Sequence, residues 1–341
     1  MTESVAQEAP RTHWIDTLIE KALNGEGISR QDALDLETLT STELEHLFEG
    51  TSRVREKFHG HNVKICSIVN AKSGKCPEVC GFCSQSSSFE TDSPEYPLMD
   101  VETIVASAKE AEAFGSNEFS IVTSGTAMTD QKELDTLKEA IRRIKAETKL
   151  ETCCSLGLMS TDHLKELKEA GLDRFHHNLE TAASHFDQVV STHSYDDEKR
   201  AVENAKEAGI PVCVGGIFGM GESYSQRVEL ALDIRELETD SFPVNFLKPQ
   251  PGTAMEHLDL MPTIEGLRTI ALLRLVNPKL DMFVCGGREE IFGDQQEKVF
   301  EAGANGILGG NYLTTKGQDP KRDIEMIESL GLVPVLESIQ H

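Results

Sequence analysis

Four helix-to-strand junctions in this chain are spelled almost alike. Lys168-Glu-Ala-Gly171 and Lys206-Glu-Ala-Gly209 are identical, and Ala113-Phe114-Gly115 and Glu301-Ala302-Gly303 follow the same plan. In each, a glycine closes an amphipathic run, as expected of the left-handed residue that stops a helix. A strand candidate follows each stop, at 117–123, 173–179, 210–217 and 305–309. Adding 63–70, 149–155, 240–247 and 280–286 gives eight strands. The helices between them carry core stripes, such as Leu134, Leu137, Ile141 and Ile144, or Val228, Ala231, Ile234 and Leu237. Eight β/α units in about 260 residues predict an α/β fold, a closed (β/α)8 TIM-type barrel, with an open doubly wound sheet as the competing architecture.

The remaining segments frame that barrel. Residues 1–10 read as a flexible N-terminus. Residues 11–60 read as an N-terminal helical extension, with Trp14, Ile15, Leu18, Ile19, Ala22 and Leu23 forming one apolar set. The barrel is expected over 61–320, and a C-terminal helix and tail over 321–341.

Charge narrows the function classes. The 341 residues hold 33 Lys and Arg against 58 Asp and Glu, a net charge of −25, which argues against nucleic acid or an anionic membrane as partner. Mean hydropathy is −0.32, and no apolar run approaches the ~20 residues of a membrane span. The opening MTESVAQEAP lacks the basic and apolar regions of a signal peptide, so a cytoplasmic chain is expected.

Eight cysteines in a reducing compartment point to metal or redox chemistry rather than disulfides. Three of them, in Cys76-Pro-Glu-Val-Cys80-Gly-Phe-Cys83, follow the first strand candidate; the others are scattered at 66, 153, 154, 213 and 285. Barrel chemistry belongs at the C-terminal strand ends and the loops after them, which makes Cys83, Ser120, Cys153, Glu180, Cys213, Asn245 and Arg288 the residues to weigh. A zinc ion would want a fourth local ligand, and neither Cys nor His follows until Cys153. Three thiolates on a four-iron cluster instead leave one iron open to a substrate or cofactor. Past the fifth strand, the glycines of Gly215-Gly-Ile-Phe-Gly-Met-Gly-Glu222 let backbone approach a bound molecule. Asn178 and Glu180, two apart at the end of the fourth strand candidate, would share one face.

The triad spacing, with Phe82 directly before the last cysteine, resembles the radical S-adenosylmethionine (SAM) superfamily. That resemblance implies a 4Fe-4S cluster on Cys76, Cys80 and Cys83, whose open iron chelates SAM and whose electron cleaves it to a 5′-deoxyadenosyl radical. It places Phe82, Asn178, Glu180, Gly216, Ile217 and Glu222 around the cofactor, with Asn178 and Glu180 on the ribose and the glycine segment beside adenine. Further blocks resemble the biotin synthase family in order and spacing: Phe175-His-His-Asn-Leu-Glu-Thr181, Val212-Cys-Val-Gly-Gly-Ile217, Pro243-Val-Asn-Phe246, Cys285-Gly-Gly-Arg-Glu289, Ala302-Gly-Ala-Asn305 and Leu313-Thr-Thr315. The likeness covers roughly residues 30–335.

The family resemblance implies sulfur insertion into dethiobiotin by a homodimeric barrel, with electrons from a donor such as flavodoxin or ferredoxin. It implies a second, auxiliary iron–sulfur cluster, of 2Fe-2S or larger form, that supplies the sulfur. Cys153, Cys213 and Arg288 match ligands of that cluster, Asn245 matches a contact to the substrate's ureido ring, and His176 stands at a substrate-facing position. Ser120 departs from the pattern, because the family has a third ligand cysteine there and serine is a poor partner for iron beside thiolates. Cys66 and Cys285 lie on other strands of the barrel and are inferred to complete a re-plumbed ligand set, which leaves open whether Arg288 touches iron. Cys154 adjoins Cys153 and is expected to face the other way. His59 and His61 read as surface groups. The competing functions are a related SAM-radical barrel, of the hydrogenase-maturation or methylornithine-synthase kind, and a non-enzymatic iron–sulfur carrier or scaffold.

Overall fold

The computed structural model describes residues 11–315 and 317–335. The expected flexible segment 1–10 and the tail beyond 335 lie outside the described residues. Three helices come first: α1 (Thr12–Leu23), α2 (Arg30–Asp35) and α3 (Ser41–His59). The last two open on reciprocal capping boxes, Ser29 with Asp32 and Thr40 with Glu43, which satisfy first-turn amides that would otherwise lack partners. The apolar stripe of α1 (Ile15, Leu18, Ile19, Ala22) is buried against α3.

The strands are β1 (Asn62–Lys72), β2 (Glu118–Thr123), β3 (Glu151–Ser155), β4 (Arg174–His176), β5 (Val212–Cys213), β6 (Gly216–Phe218), β7 (Ser241–Phe246), β8 (Asp281–Val284) and β9 (Gly306–Leu308). All ladders between them are parallel, in the order β1-β2-β3-β4-β5-β7-β8-β9. β9 then pairs with β1, through Lys64 to Gly306 and Cys66 to Leu308, so the sheet closes and the open-sheet alternative falls. The fifth stave is in two pieces. β5 and β6 both lean on β7, and Val214-Gly215 breaks the strand between them. A short outer strand, β10 (Val333–Pro334), adds to β1.

The outer layer consists of α4 (Val101–Ala113), α5 (Gln131–Glu147), α6 (Thr161–Glu169), α7 (Tyr195–Glu207), α8 (Tyr224–Glu236), α9 (Thr263–Val276), short α10 (Arg288–Phe292) and α11 (Lys298–Glu301), and α12 (Pro320–Ser329). The glycine stops behave as written in the sequence: Gly115, Gly171, Gly209 and Gly303 all have positive φ, where a side chain would be strained. No helix among the described residues is long and apolar enough to cross a membrane.

Alternation along the strands sorts the interior. Phe119, Ile121, Cys154 and Phe175 face the helices and are buried in the main core. Their neighbours point inward. At the N-terminal end of the barrel these are Lys64, Glu118, Arg174, Ser241 and Asp281, a floor of charged and polar groups. Lys64 Nζ lies 2.6 Å from Asp281 and 3.7 Å from Glu118, and Arg174 lies 3.4 Å from Glu118. His59 corrects its expected surface position: the last turn of α3 carries it to 3.4 Å from Asp281, with its side chain only 11 % exposed. His61 remains exposed.

Candidate active site

A cavity of about 460 Å3 opens at the C-terminal end of the barrel. All three triad cysteines line it, as do Cys66, Ser120, Cys153, Cys213 and Cys285. A second cavity of about 820 Å3 lies outside the barrel between β1, α4 and the segment before α12; no cysteine lines it.

The triad loop is pinned at many points. Its backbone pairs Cys76 N with Gln85 O (3.1 Å) and Ser87 N with Cys76 O (2.8 Å), while Gly81 N reaches Val189 O at 2.7 Å. The Gln85 side-chain oxygen accepts from Ser73 Oγ and Gly74 N, and Ser86 Oγ donates to Glu78 O at 2.6 Å. A loop tied down this way presents three sulfurs with little ordering left to do. Burial, with repulsion from Glu180 and Cys76, pushes Cys83 up to about 11. Burial raises the Cys80 thiol as well. Loading the site therefore releases protons. Among the described residues, no three His, Cys, Asp or Glu side chains converge on a point suited to a single ion.

The deeper cysteines form a tier above the charged floor. Cys66 comes from β1, Cys153 from β3, Cys213 from β5, and Cys285 directly follows β8. Cys66 and Cys285 pack in one small cluster with Phe283 and Leu308. Burial, compounded by the neighbouring thiols, holds Cys66 and Cys153 well above the ordinary cysteine range. Cys213 is raised by burial only to about 11, because Arg174 and a hydrogen bond from Ser241 favour its thiolate. Cys154 is 0 % exposed and turned into the core, as the alternation required. Ser120 sits within the tier, paired in register with Cys153.

The cofactor side differs from expectation in instructive ways. β4 ends at His176, so Asn178 and Glu180 do not lie on a regular strand face. Glu180 instead has φ +61, a left-handed conformation costing a non-glycine residue ~1–3 kcal/mol, and its carbonyl accepts from Ile217 N at 2.7 Å. Asn178 Nδ2 donates to Glu180 Oε2 at 3.4 Å, and Asn178 Oδ1 is buried without a protein donor. Both side chains line the cavity beside Phe82 and Ile217. Gly216 serves packing: a Cβ there would meet Glu180 O and Leu230 Cδ2, each at 2.8 Å. Glu222 turns away from the cavity to staple its own loop, accepting from Gly219 N (3.0 Å) and Met220 N (2.8 Å) and pairing with Arg227 at 2.9 Å.

Burial, with repulsion from Glu198, pushes Glu180 up to about 8. At pH 7 the free protein therefore holds Glu180 protonated, and a ligand that donates hydroxyl hydrogen bonds to its carboxylate must displace that proton. SAM affinity is expected to rise about tenfold between pH 7 and pH 9. Calorimetry across that range checks this, with Glu180→Gln expected to give a flat profile.

On the substrate side, His176 lines the cavity, and burial lowers it to about 4, so its imidazole is neutral. Asn245 lines the cavity too, though its amide already bridges Gly216 O (3.3 Å) and Gly286 N (3.0 Å). The Arg288 guanidinium reaches Asp323 at 2.8 Å, Leu308 O at 3.2 Å and Gln296 at 2.5 Å, the Arg288–Asp323 pair is 1 % exposed on each side, and Arg288 Nε is buried without a protein partner. Arg288 does not line the cavity, and it acts on Cys285 as a neighbouring charge.

Sequence reasoning missed a half-buried hydrogen-bonded chain beside the triad. Glu78, inside the triad loop, accepts from the Thr126 and Thr192 hydroxyls and lies 2.8 Å from His193 Nδ1. The other face of His193 lies 2.9 Å from Glu198, which also holds His177. Burial works against charge on His193, but Glu198 and Glu78 push it up to about 9. Nothing local in the sequence announces a contact spanning 115 positions.

A three-thiol loop on a closed parallel barrel, beside a pocket with unpaired polar groups, defines the class of SAM-radical enzymes. The profile of the Radical SAM superfamily matches residues 71–234, and that of the Biotin and Thiamin Synthesis associated domain matches 243–333. The chain belongs to the biotin synthase family. It is 46 % identical over 326 residues to biotin synthase of Trichlorobacter lovleyi, covering 96 % of this chain and 98 % of that one. It is 47 % identical over 317 residues to biotin synthase of Geobacter sulfurreducens, covering 93 % and 96 %. The fold is shared with the crystal structure of methylornithine synthase (TM-score 0.81, 23 % identity, 93 % of this chain and 97 % of that one). The FeFe-hydrogenase maturase of Carboxydothermus hydrogenoformans is similar again (TM-score 0.80, 18 % identity, 94 % and 79 %). At those identities the likeness concerns the fold alone.

Proposed function

We propose that this chain converts dethiobiotin to biotin by SAM-dependent radical sulfur insertion, as a sulfurtransferase with two iron–sulfur clusters. The observation that carries the reading is the tier of Cys66, Cys153, Cys213 and Cys285 inside the same cavity as the triad. The shared fold accounts for the barrel, but not for thiols contributed by β1, β3, β5 and the residue after β8.

The donor sets fit the groups. Cys76, Cys80 and Cys83 would hold a 4Fe-4S cluster with one iron left for SAM, and the four tier cysteines an auxiliary cluster of 2Fe-2S or larger form, since four thiolates serve either. When bound, these groups supply the electron that cleaves SAM and the sulfur that enters the substrate. The chain does the rest. Asn178 and Glu180 offer hydrogen-bonding groups for the ribose, with Phe82 and Ile217 as apolar walls. Neutral His176 and backbone-anchored Asn245 face the space for the ureido ring. Ile68, Val122, Pro243 and Phe246 add an apolar lining, which keeps water and stray hydrogen donors from a primary carbon radical.

Ser120 is then a wall residue, its ligand role taken over by Cys66 and Cys285. The reading extends to a cytoplasmic homodimer fed by flavodoxin or ferredoxin. An anaerobic assay with SAM, reductant and dethiobiotin tests it: biotin together with 5′-deoxyadenosine is expected. Deoxyadenosine without biotin overturns the substrate assignment in favour of a related SAM-radical barrel.

A further inference from the structure

Directly beneath the cysteine tier lies a guanidinium that nothing above employs. β4 alternates Arg174 in, Phe175 out and His176 in, so Arg174 projects into the barrel below His176. Arg174 is paired in register with Cys153 on β3, and Ser241 is paired with Cys213 on β5. Arg174 Nη1 donates to Ser241 Oγ at 3.3 Å and to Glu118 Oε2 at 3.4 Å, while Nη2 lies 3.6 Å from Glu151 Oε2. A side chain that starts on β4 and reaches Ser241 on β7 passes under β5, the strand that carries Cys213. Ser241 in turn stands beside Cys213 in the β5–β7 register. The guanidinium is within electrostatic reach of both Cys153 and Cys213.

The floor's other cation is committed elsewhere, since Lys64 is held by Asp281 at 2.6 Å. Arg288 is turned toward Asp323. Arg174 is thus the cation on the Cys153 and Cys213 side of the tier. Its two carboxylate neighbours fix its orientation without consuming every donor.

Thiolates and sulfides in a buried site carry net negative charge, and their retention and potential depend on the hydrogen bonds and charges around them. We propose that Arg174 is the counter-cation of the auxiliary centre, oriented by Glu118, Glu151 and Ser241, offsetting the charge on Cys153 and Cys213. Arg174 is a positioning residue, because it acts through the sulfur ligands. The inference rests on the auxiliary-cluster reading.

The test compares wild type, Arg174→Gln, Arg174→Lys and Ser241→Ala, each reconstituted anaerobically with iron and sulfide. Iron per chain, iron release to a chelator, and the midpoint potential of the auxiliary signal are read, with the triad's four-iron signal as internal reference. Arg174→Gln is expected to weaken retention of auxiliary iron ~10–100-fold, the usual range for loss of a supporting partner, and to move the potential negative. Arg174→Lys restores the potential, and Ser241→Ala shifts it the same way by less. Arg174→Gln with the retention and potential of wild type overturns the proposal. If that variant fails to fold because Glu118 is left unpaired, Arg174→Gln/Glu118→Gln removes both charges and is held to the same two outcomes. Wild-type protein with no iron beyond the triad's would instead overturn the auxiliary-cluster reading itself.

Discussion

Replacing Cys76, Cys80 or Cys83 with alanine is expected to lower SAM cleavage by about 1000-fold, to background, while leaving the barrel folded. The loop lies on the rim of the barrel, and its conformation is held by bonds that do not involve the sulfurs: Gln85 with Ser73 and Gly74, Ser86 with Glu78, and Gly81 with Val189. Cys80 only edges a small satellite cluster, so the cost in stability is expected to stay near ~1 kcal/mol. Activity and stability are therefore expected to separate cleanly. Deoxyadenosine production and thermal unfolding, measured on the same samples, check this. A variant that keeps cleaving SAM would show that the loop is not the cluster site.

Alanine at Cys153, Cys213, Cys66 or Cys285 is expected to give the opposite pattern. Biotin formation falls by about 100-fold or more, while SAM is still cleaved. The triad and the tier line one cavity but are built from different elements, a loop after β1 for one and four staves for the other. Losing a tier thiol therefore leaves the radical-generating site intact. Cys66 and Cys285 are the sharper test, because both are packed against Phe283 and Leu308 as small apolar groups would be. If neither Cys66→Ala nor Cys285→Ala changes the iron content of the auxiliary cluster, packing is their whole role. The ligand set then shrinks to Cys153 and Cys213, with Arg174 in register beside Cys153.

Much of this was legible in the chain because it is local. Glycine stops, two-residue alternation and helical stripes act over a few positions, and the eight staves and the opposite facing of Cys153 and Cys154 follow from them. The triad was legible because its ligands sit within eight residues of one another. What the sequence hid is non-local. The break between β5 and β6 falls opposite Pro243, which has no amide to give the ladder and lies close against Gly215, and the left-handed Glu180 pairs with Gly216 just past it. Glu222 resembled a cofactor contact but closes its own loop. Arg288 finds Asp323 on α12, 35 positions away, and this buried pairing sets its orientation. Arg174 drew no notice because its meaning depends on Ser241 and Cys213, which only the closed barrel brings near it.

The central claim is that the cysteine tier holds the sulfur that becomes part of the product. Protein reconstituted with heavy-isotope sulfide, freed of excess sulfide and given SAM, reductant and dethiobiotin for a single turnover, tests this by mass spectrometry of the biotin formed. Heavy sulfur in the biotin from wild type, with no biotin from Cys66→Ala/Cys285→Ala while deoxyadenosine continues, is the predicted result. Unlabelled biotin, or labelled biotin from the double variant in wild-type yield, would contradict it.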